Sequence, residues 1–183
     1  MKTKNTPKDS TFVEVQNQRQ GWIFMFILFL LILNVVAIIQ QVIFDKPFGN
    51  EPAPDWGLFV SLILPIGLFI FMYLNRLQTH INDVGIWIKY RPIHKKWRVY
   101  PWDSIEAAHV RLYRPFKEYG GYGYRIKIGK NSQAMNVSGK TGLQLVLKSG
   151  RHLLIGTQRG DEIDKVVQHY REIHRIDKFI KSN

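Results

Sequence analysis

Two stretches without a single charge most constrain what this chain can fold into. Residues 21–44 are apolar except for Gly21, Asn34, Gln40 and Gln41, and residues 56–74 except for Gly57, Ser61, Pro65 and Gly67. At 1.5 Å per residue these runs reach ~36 Å and ~28 Å as helices, against a bilayer hydrocarbon core of ~30 Å. One water-soluble core of this size has no place for both, so the sequence predicts transmembrane helices over 21–44 and 56–75. A cleaved signal peptide is the rival reading of the first run. It fails because the run is too long for such a segment and no small-x-small cleavage site follows.

The connector 45–55, DKPFGNEPAPD, carries three prolines and a glycine, which end helices. So short a link makes the two helices an antiparallel hairpin. Lys2, Lys4, Lys8 and Arg19 precede the first helix, and Arg76, Lys89, Arg91, Lys95 and Lys96 follow the second, whereas the connector holds only Lys46. The positive-inside rule then predicts a multi-pass protein of the cytoplasmic membrane, with both termini cytoplasmic and 45–55 outside. Trp22 and Trp56 fall at the segment starts, where amphipathic rings favour the headgroup layer. Asn34, in mid-span, is expected to hydrogen-bond a neighbouring helix. Pro65 with Gly67 predicts a kink or a close-packing spot. The spans carry no ionisable residue, which argues against a proton or ion pathway built from this chain alone.

Residues 1–20 read as a polar tail. From Arg76 onward the pattern changes to short alternating runs separated by turn residues. Val84–Arg91, Trp97–Tyr100, Ile105–Tyr113, Tyr122–Ile128, Gln133–Val137, Leu143–Lys148 and His152–Gly156 each show strand alternation, and Ser149-Gly150 marks a tight hairpin turn. Ile163, Val166, Val167, Tyr170 and Ile173 then recur at helical spacing. Asp161, Glu162 and Asp164 stand in the first turn of that helix, where its dipole favours acids. The expected fold class is a membrane-anchored α+β protein: a two-helix hairpin, then seven strands and a C-terminal helix over 80–177.

Four motifs carry a resemblance: Arg114-Pro115, Glu118-Tyr119-Gly120-Gly121-Tyr122-Gly123-Tyr124-Arg125, Asn136-Val137-Ser138-Gly139 and Ile155-Gly156-Thr157-Gln158. With the strand series they make the chain resemble a bacterial group of pleckstrin-homology-like (PH-like) membrane proteins, largely uncharacterised, over residues 80–175. The resemblance implies a seven-stranded β-sandwich or split barrel capped by the C-terminal helix, a fold that hosts many binding roles. In lipid-binding domains of this kind a basic first hairpin holds headgroup phosphates. Lys89, Lys96 and Arg98 fit that loose pattern, with Arg91 and Lys95 beside them. Cations converging across a hairpin make a phosphate clamp, and Trp97 is placed to wedge into the interface. The competing reading is that these are only the juxtamembrane cations that topology demands.

Other motifs point nowhere sharper. Ala134 to Thr141 loosely matches a phosphate-binding loop, with Lys140 as its lysine. A strand pattern follows where a helix is required, so a hairpin turn is expected there. The glycines at 120, 121 and 123 are expected to supply positive φ or a bulge. Asn136-Val137-Ser138 is a glycosylation sequon on the side of the membrane that lacks the enzyme. The six histidines are scattered, and the absence of cysteine excludes disulfides, thiolate zinc sites and thiol nucleophiles. No cofactor or enzymatic chemistry is expected.

The net charge is +12: the tail contributes +2, the connector −2, and residues 75–183 +12. The function expected is therefore non-enzymatic. A basic domain at the cytoplasmic membrane face would bind membrane lipids, through anionic headgroups, or a protein. The alternative is an accessory subunit docking a larger membrane assembly or a second copy of itself. Nucleic acid is not expected, since the tether makes the lipid surface the nearer polyanion.

Overall fold

The computed structural model describes residues 7, 9–17, 21–127 and 131–177. The chain divides into two compact units, one formed by 19–74 and the other by 1–18 together with 75–183.

In the first unit α1 (Gly21–Ile38) runs on through a π turn at Ile39–Ile43, and α2 (Asp55–Ser61) is followed by α3 (Ile63–Leu74). Gly21–Ile43 and Asp55–Leu74 are long and apolar enough to cross a membrane, by length and composition. In the most apolar 18-residue window of each, only 11% is buried within the chain. Trp22 and Trp56 are 72% and 70% exposed. The break at Leu62 has a local cause. Pro65 has no N–H to donate to the carbonyl of Ser61 four residues back, so the helix gives way one turn upstream. A Cβ on Gly67 would meet nothing within 4 Å, so the close-packing role expected there is absent. Asn34 donates to the Leu30 carbonyl at 3.0 Å and accepts from the Ser61 hydroxyl of the other helix, as a mid-span amide was expected to do. Phe24 meets Phe69 edge to face at 5.7 Å.

The second unit is α+β, and its described residues form nine strands in two sheets. The first sheet has the order β1 (Phe12–Asn17), β2 (Arg76–Ile81), β3 (Gly85–Arg91) and β4 (Arg98–Pro101), all antiparallel. The second is built from β5 (Ile105–Leu112), β6 (Gly123–Lys127), β7 (Ser132–Asn136), β8 (Thr141–Leu147) and β9 (His152–Thr157), in the order β5-β8-β9-β7-β6. A short α4 (Pro115–Tyr119) links β5 to β6, and α5 (Gly160–His174) follows β9. The seven strands read from alternation are β3 to β9.

Two expectations change. Residues 1–20 are not simply a polar tail, because 12–17 form β1, paired with β2 from Phe12↔Ile81 to Asn17↔Arg76. The helical segment is thus an insertion between two adjacent strands of one sheet. Residues 1–6, 8 and 18–20, with Lys2, Lys4, Lys8 and Arg19, lie outside the described residues, as does Ile128 at the end of the expected sixth-strand run. Further, the segment around Lys140 is not a hairpin turn. β7 pairs in parallel with β9, while β8 lies on the other side of β9, so the connection crosses over that strand.

Leu77, Ile86, Ile88 and Tyr90 of the first sheet, Leu143, Leu145 and Ile155 of the second, and Ile163, Val167 and Tyr170 of α5 share one core. Trp102 stacks on Tyr170 at 4.9 Å, which locks the helix onto the strand connection. Ile173, expected on the buried stripe of α5, is 57% exposed.

Candidate functional site

The residues that carry the sequence resemblance mostly hold the second unit together. Glu118 accepts from the Arg111 guanidinium at 2.8 Å and from the Arg114 amide at 2.7 Å, and the Arg111 bond is the main cause that holds its carboxyl below the usual range. Gly120 takes the left-handed conformation (φ +72°) that ends α4. Asn136 is fully buried. It accepts from the Gly123 amide at 2.8 Å and donates to the Tyr113 hydroxyl at 3.0 Å; burial pushes that hydroxyl up to about 12. Gln158 donates to Ser138 at 2.7 Å, and Thr157 to Glu14 at 2.7 Å. The Asn136 and Thr157 motifs form a polar lattice joining β1, β7 and β9, and Glu118 ties α4 to β5.

The basic turn between β3 and β4 is a different kind of feature. Register places Asn17 opposite Arg76 and Arg76 opposite Arg91, so the turn lies at the end of the sheet where β1 stops and β2 begins. Arg76 donates to Asn17 at 2.8 Å, tying that end together, and Asn75 is buried there. Lys95 and Lys96 are exposed at the turn, as is Arg91, and Ile93 between them is 48% exposed. His94 is tucked beneath. Its amide donates to the Tyr90 carbonyl at 2.6 Å, its Nδ1 accepts from the Tyr90 amide at 3.3 Å, and its ring meets Tyr124 at 5.2 Å. Burial first, and then the Arg98 charge, push its pKa down to about 4.

The five expected cations do not make one clamp. Side chains alternate along a strand, and β3 pairs Ile88 with Arg98, so Arg98 belongs to the face of buried Ile88 while Lys89 and Arg91 belong to the opposite face. Lys89 sits with its Nζ 5.8 Å from the centre of the Trp97 ring, and Trp97 packs edge-on to His80 at 4.8 Å. Trp97 is thereby engaged on the sheet, and Ile93 is the apolar residue the turn offers to its surroundings.

Arg98 instead lines a cleft of about 320 Å³ with Tyr100 of β4, Tyr124 and Lys127 of β6, and Arg151 and His152 at the start of β9. No carboxylate is among its lining residues. Burial raises the pKa of the Tyr100 hydroxyl, against the opposing charges of Arg98 and Arg151. Sequence reasoning missed this group because its members come from three separate strand ends. The only local signal was a cation directly after the Ser149-Gly150 turn. Among the described residues no cluster of His, Asp and Glu could hold a metal ion.

The profile of a family of unknown function (DUF6141) matches residues 4–170. No curated protein matches the chain.

Proposed function

This chain belongs to the family of unknown function DUF6141, and from that premise we propose that it is a membrane-anchored binding protein whose second unit presents a basic turn to anionic headgroups. The helices of 21–43 and 55–74 cross the cytoplasmic membrane, and the α+β unit is a PH-like domain on its cytoplasmic side. What supports the domain reading is the pair of sheets closed by an amphipathic C-terminal helix.

A single observation carries the proposal: the register Asn17↔Arg76↔Arg91. Strands on either side of the helical insertion pair with each other, so both of its ends must lie on one side of any membrane it crosses. Only residues 18–20 and Asn75 separate those strands from the helices, and the turn shares their end of the sheet. Arg76, Lys89, Arg91, Lys95 and Lys96 therefore share the end of the sheet at which the chain leaves β1 and returns to β2. Each cation near an anionic leaflet contributes ~1 kcal/mol, and exposed Ile93 adds an apolar contact.

The absence of cysteine makes the test direct. A nitroxide on Ile93→Cys in the full chain, reconstituted in vesicles containing phosphatidylserine, is expected to be shielded from an aqueous relaxation agent. The shielding should weaken in pure phosphatidylcholine and after Lys89, Arg91, Lys95 and Lys96 are all changed to Gln. Equal accessibility in both lipids would overturn the headgroup reading. A single cysteine at Asn50 tests the topology: labelling of intact cells by an impermeant maleimide is expected, and labelling only after permeabilisation would reverse it.

A further inference from the structure

We propose that the cleft between β4, the end of β6 and the start of β9 is a binding site for a phosphomonoester or pyrophosphate group, separate from the basic turn. Arg98, Lys127 and Arg151 reach it from three different strand ends, with His152 beside them. Three like charges gathered around one cavity are not explained by packing. Among the described residues no carboxylate forms a salt bridge with any of the three. Lys127 donates to the Glu118 main-chain carbonyl at 3.3 Å; the Glu118 carboxylate is bonded to Arg111 and feels the Lys127 charge without forming an ion pair with it. A cleft lined by one sign of charge focuses its field on a counter-ion, and the forked guanidinium matches the oxygens of a phosphate.

The rest of the lining suits such a ligand. Tyr100 is only 8% exposed, and burial raises its pKa, so its hydroxyl stays a donor at neutral pH. Ser132 and Gln133 add neutral polar groups, and Gln133 holds the Tyr124 hydroxyl. The Tyr124 ring and the Leu147 and Leu153 side chains leave an apolar wall on which the ligand's body can lie. A volume of about 320 Å³ is at the lower end of the range for small-ligand sites and larger than one phosphate needs. The same chemistry is offered by a soluble phosphate ester and by the headgroup of phosphatidic acid.

The test uses the full chain in phosphatidylcholine nanodiscs, with calorimetry to follow inorganic pyrophosphate and thermal unfolding to follow phosphatidic acid added to the discs. Saturable pyrophosphate binding, weakened about tenfold or more by Arg151→Gln and by Lys127→Gln, supports a soluble ligand. Stabilisation by phosphatidic acid alone, lost in the same variants, supports a lipid headgroup. Both side chains are exposed, so neither change disturbs the core. Lys95→Gln with Lys96→Gln should leave pyrophosphate binding unchanged, which keeps this site's failure distinguishable from that of the turn. No response to either probe, or responses indifferent to Arg151 and Lys127, would overturn the proposal.

Discussion

Thr157, at the end of β9, donates its hydroxyl to the Glu14 carboxylate of β1 at 2.7 Å, across 143 positions of sequence. Both residues are buried, and the other Glu14 oxygen accepts from the Gln158 amide at 2.8 Å. Gln16 donates to the Gly156 carbonyl at 2.7 Å, and Arg159 to the Val13 carbonyl at 2.8 Å. β1 is therefore joined to the second sheet by its polar side chains as well as to the first by its backbone.

Removing that carboxylate strands the buried Thr157 hydroxyl and takes the partner of the part-buried Gln158 amide. Glu14→Ala is expected to destabilise the second unit by ~2 kcal/mol, while Thr157→Val, which removes one donor along with its bond, should cost less, ~1 kcal/mol. Denaturant unfolding of the detergent-solubilised chain measures both. Equal losses would mean that Glu14 is not the shared hub.

Gly156 offers a second entrance to the same lattice. A Cβ there would lie 2.9 Å from the Asn136 Cβ and 3.1 Å from its Cα, atoms that cannot swing aside. Gly156→Ala should push β9 away from β7 and cost ~1–3 kcal/mol. Gly150→Ala is a contrasting control, since its Cβ would meet nothing and only its positive φ resists. If unfolding midpoints show Gly156→Ala to be neutral, the close approach of the two strands is not as described.

Where pattern and burial agreed, the sequence was legible. β3 and β8 alternate or run apolar, as half-buried and buried strands do. β1 inverts the rule, because Glu14 and Gln16 face inward while Val13 and Val15 are 43% and 47% exposed. The Glu14 carboxylate and the Gln16 amide nitrogen find their partners 140 or more positions away, and no local pattern encodes that. β2, RLQTHI, is separated from α3 by Asn75 alone and puts Thr79 in the core, so it reads as the helix's polar flank. The cations of the turn were visible as a run. Which face each one takes depends on the β3–β4 register, and that separated Arg98 from Lys89.

The contact between the two apolar helices gives a smaller, separable effect. Asn34 and the Leu58 carbonyl, the latter at 2.7 Å, share the single proton of the Ser61 hydroxyl, so Ser61 keeps a partner if Asn34 is lost. Asn34→Leu is expected to weaken the pair by only ~0.6 kcal/mol, typical of polar contacts between membrane helices. Graded unfolding in mixed detergent micelles reads the difference. A loss several times larger would assign Asn34 a role beyond holding its neighbour.

His94 sets the acid sensitivity of the second unit. Its folded pKa is about 4, against an ordinary value of 6.5, because burial and the nearby Arg98 disfavour the imidazolium. Above pH 6.5 the ring is neutral in both states, so it imposes no dependence. Between about 6.5 and about 4 the unfolded chain takes up a proton that the folded chain refuses, so stability falls as pH falls through that window and levels off below it. His80, also lowered by burial, adds a slope of the same sign below 6.5. Thermal midpoints across this range should therefore decline for the native chain and decline less steeply for His94→Gln. An unchanged slope in the variant would place the acid-sensitive proton elsewhere. The same protonation would break the bond from the Tyr90 amide to Nδ1, so the turn carrying Lys95 and Lys96 is expected to loosen with it.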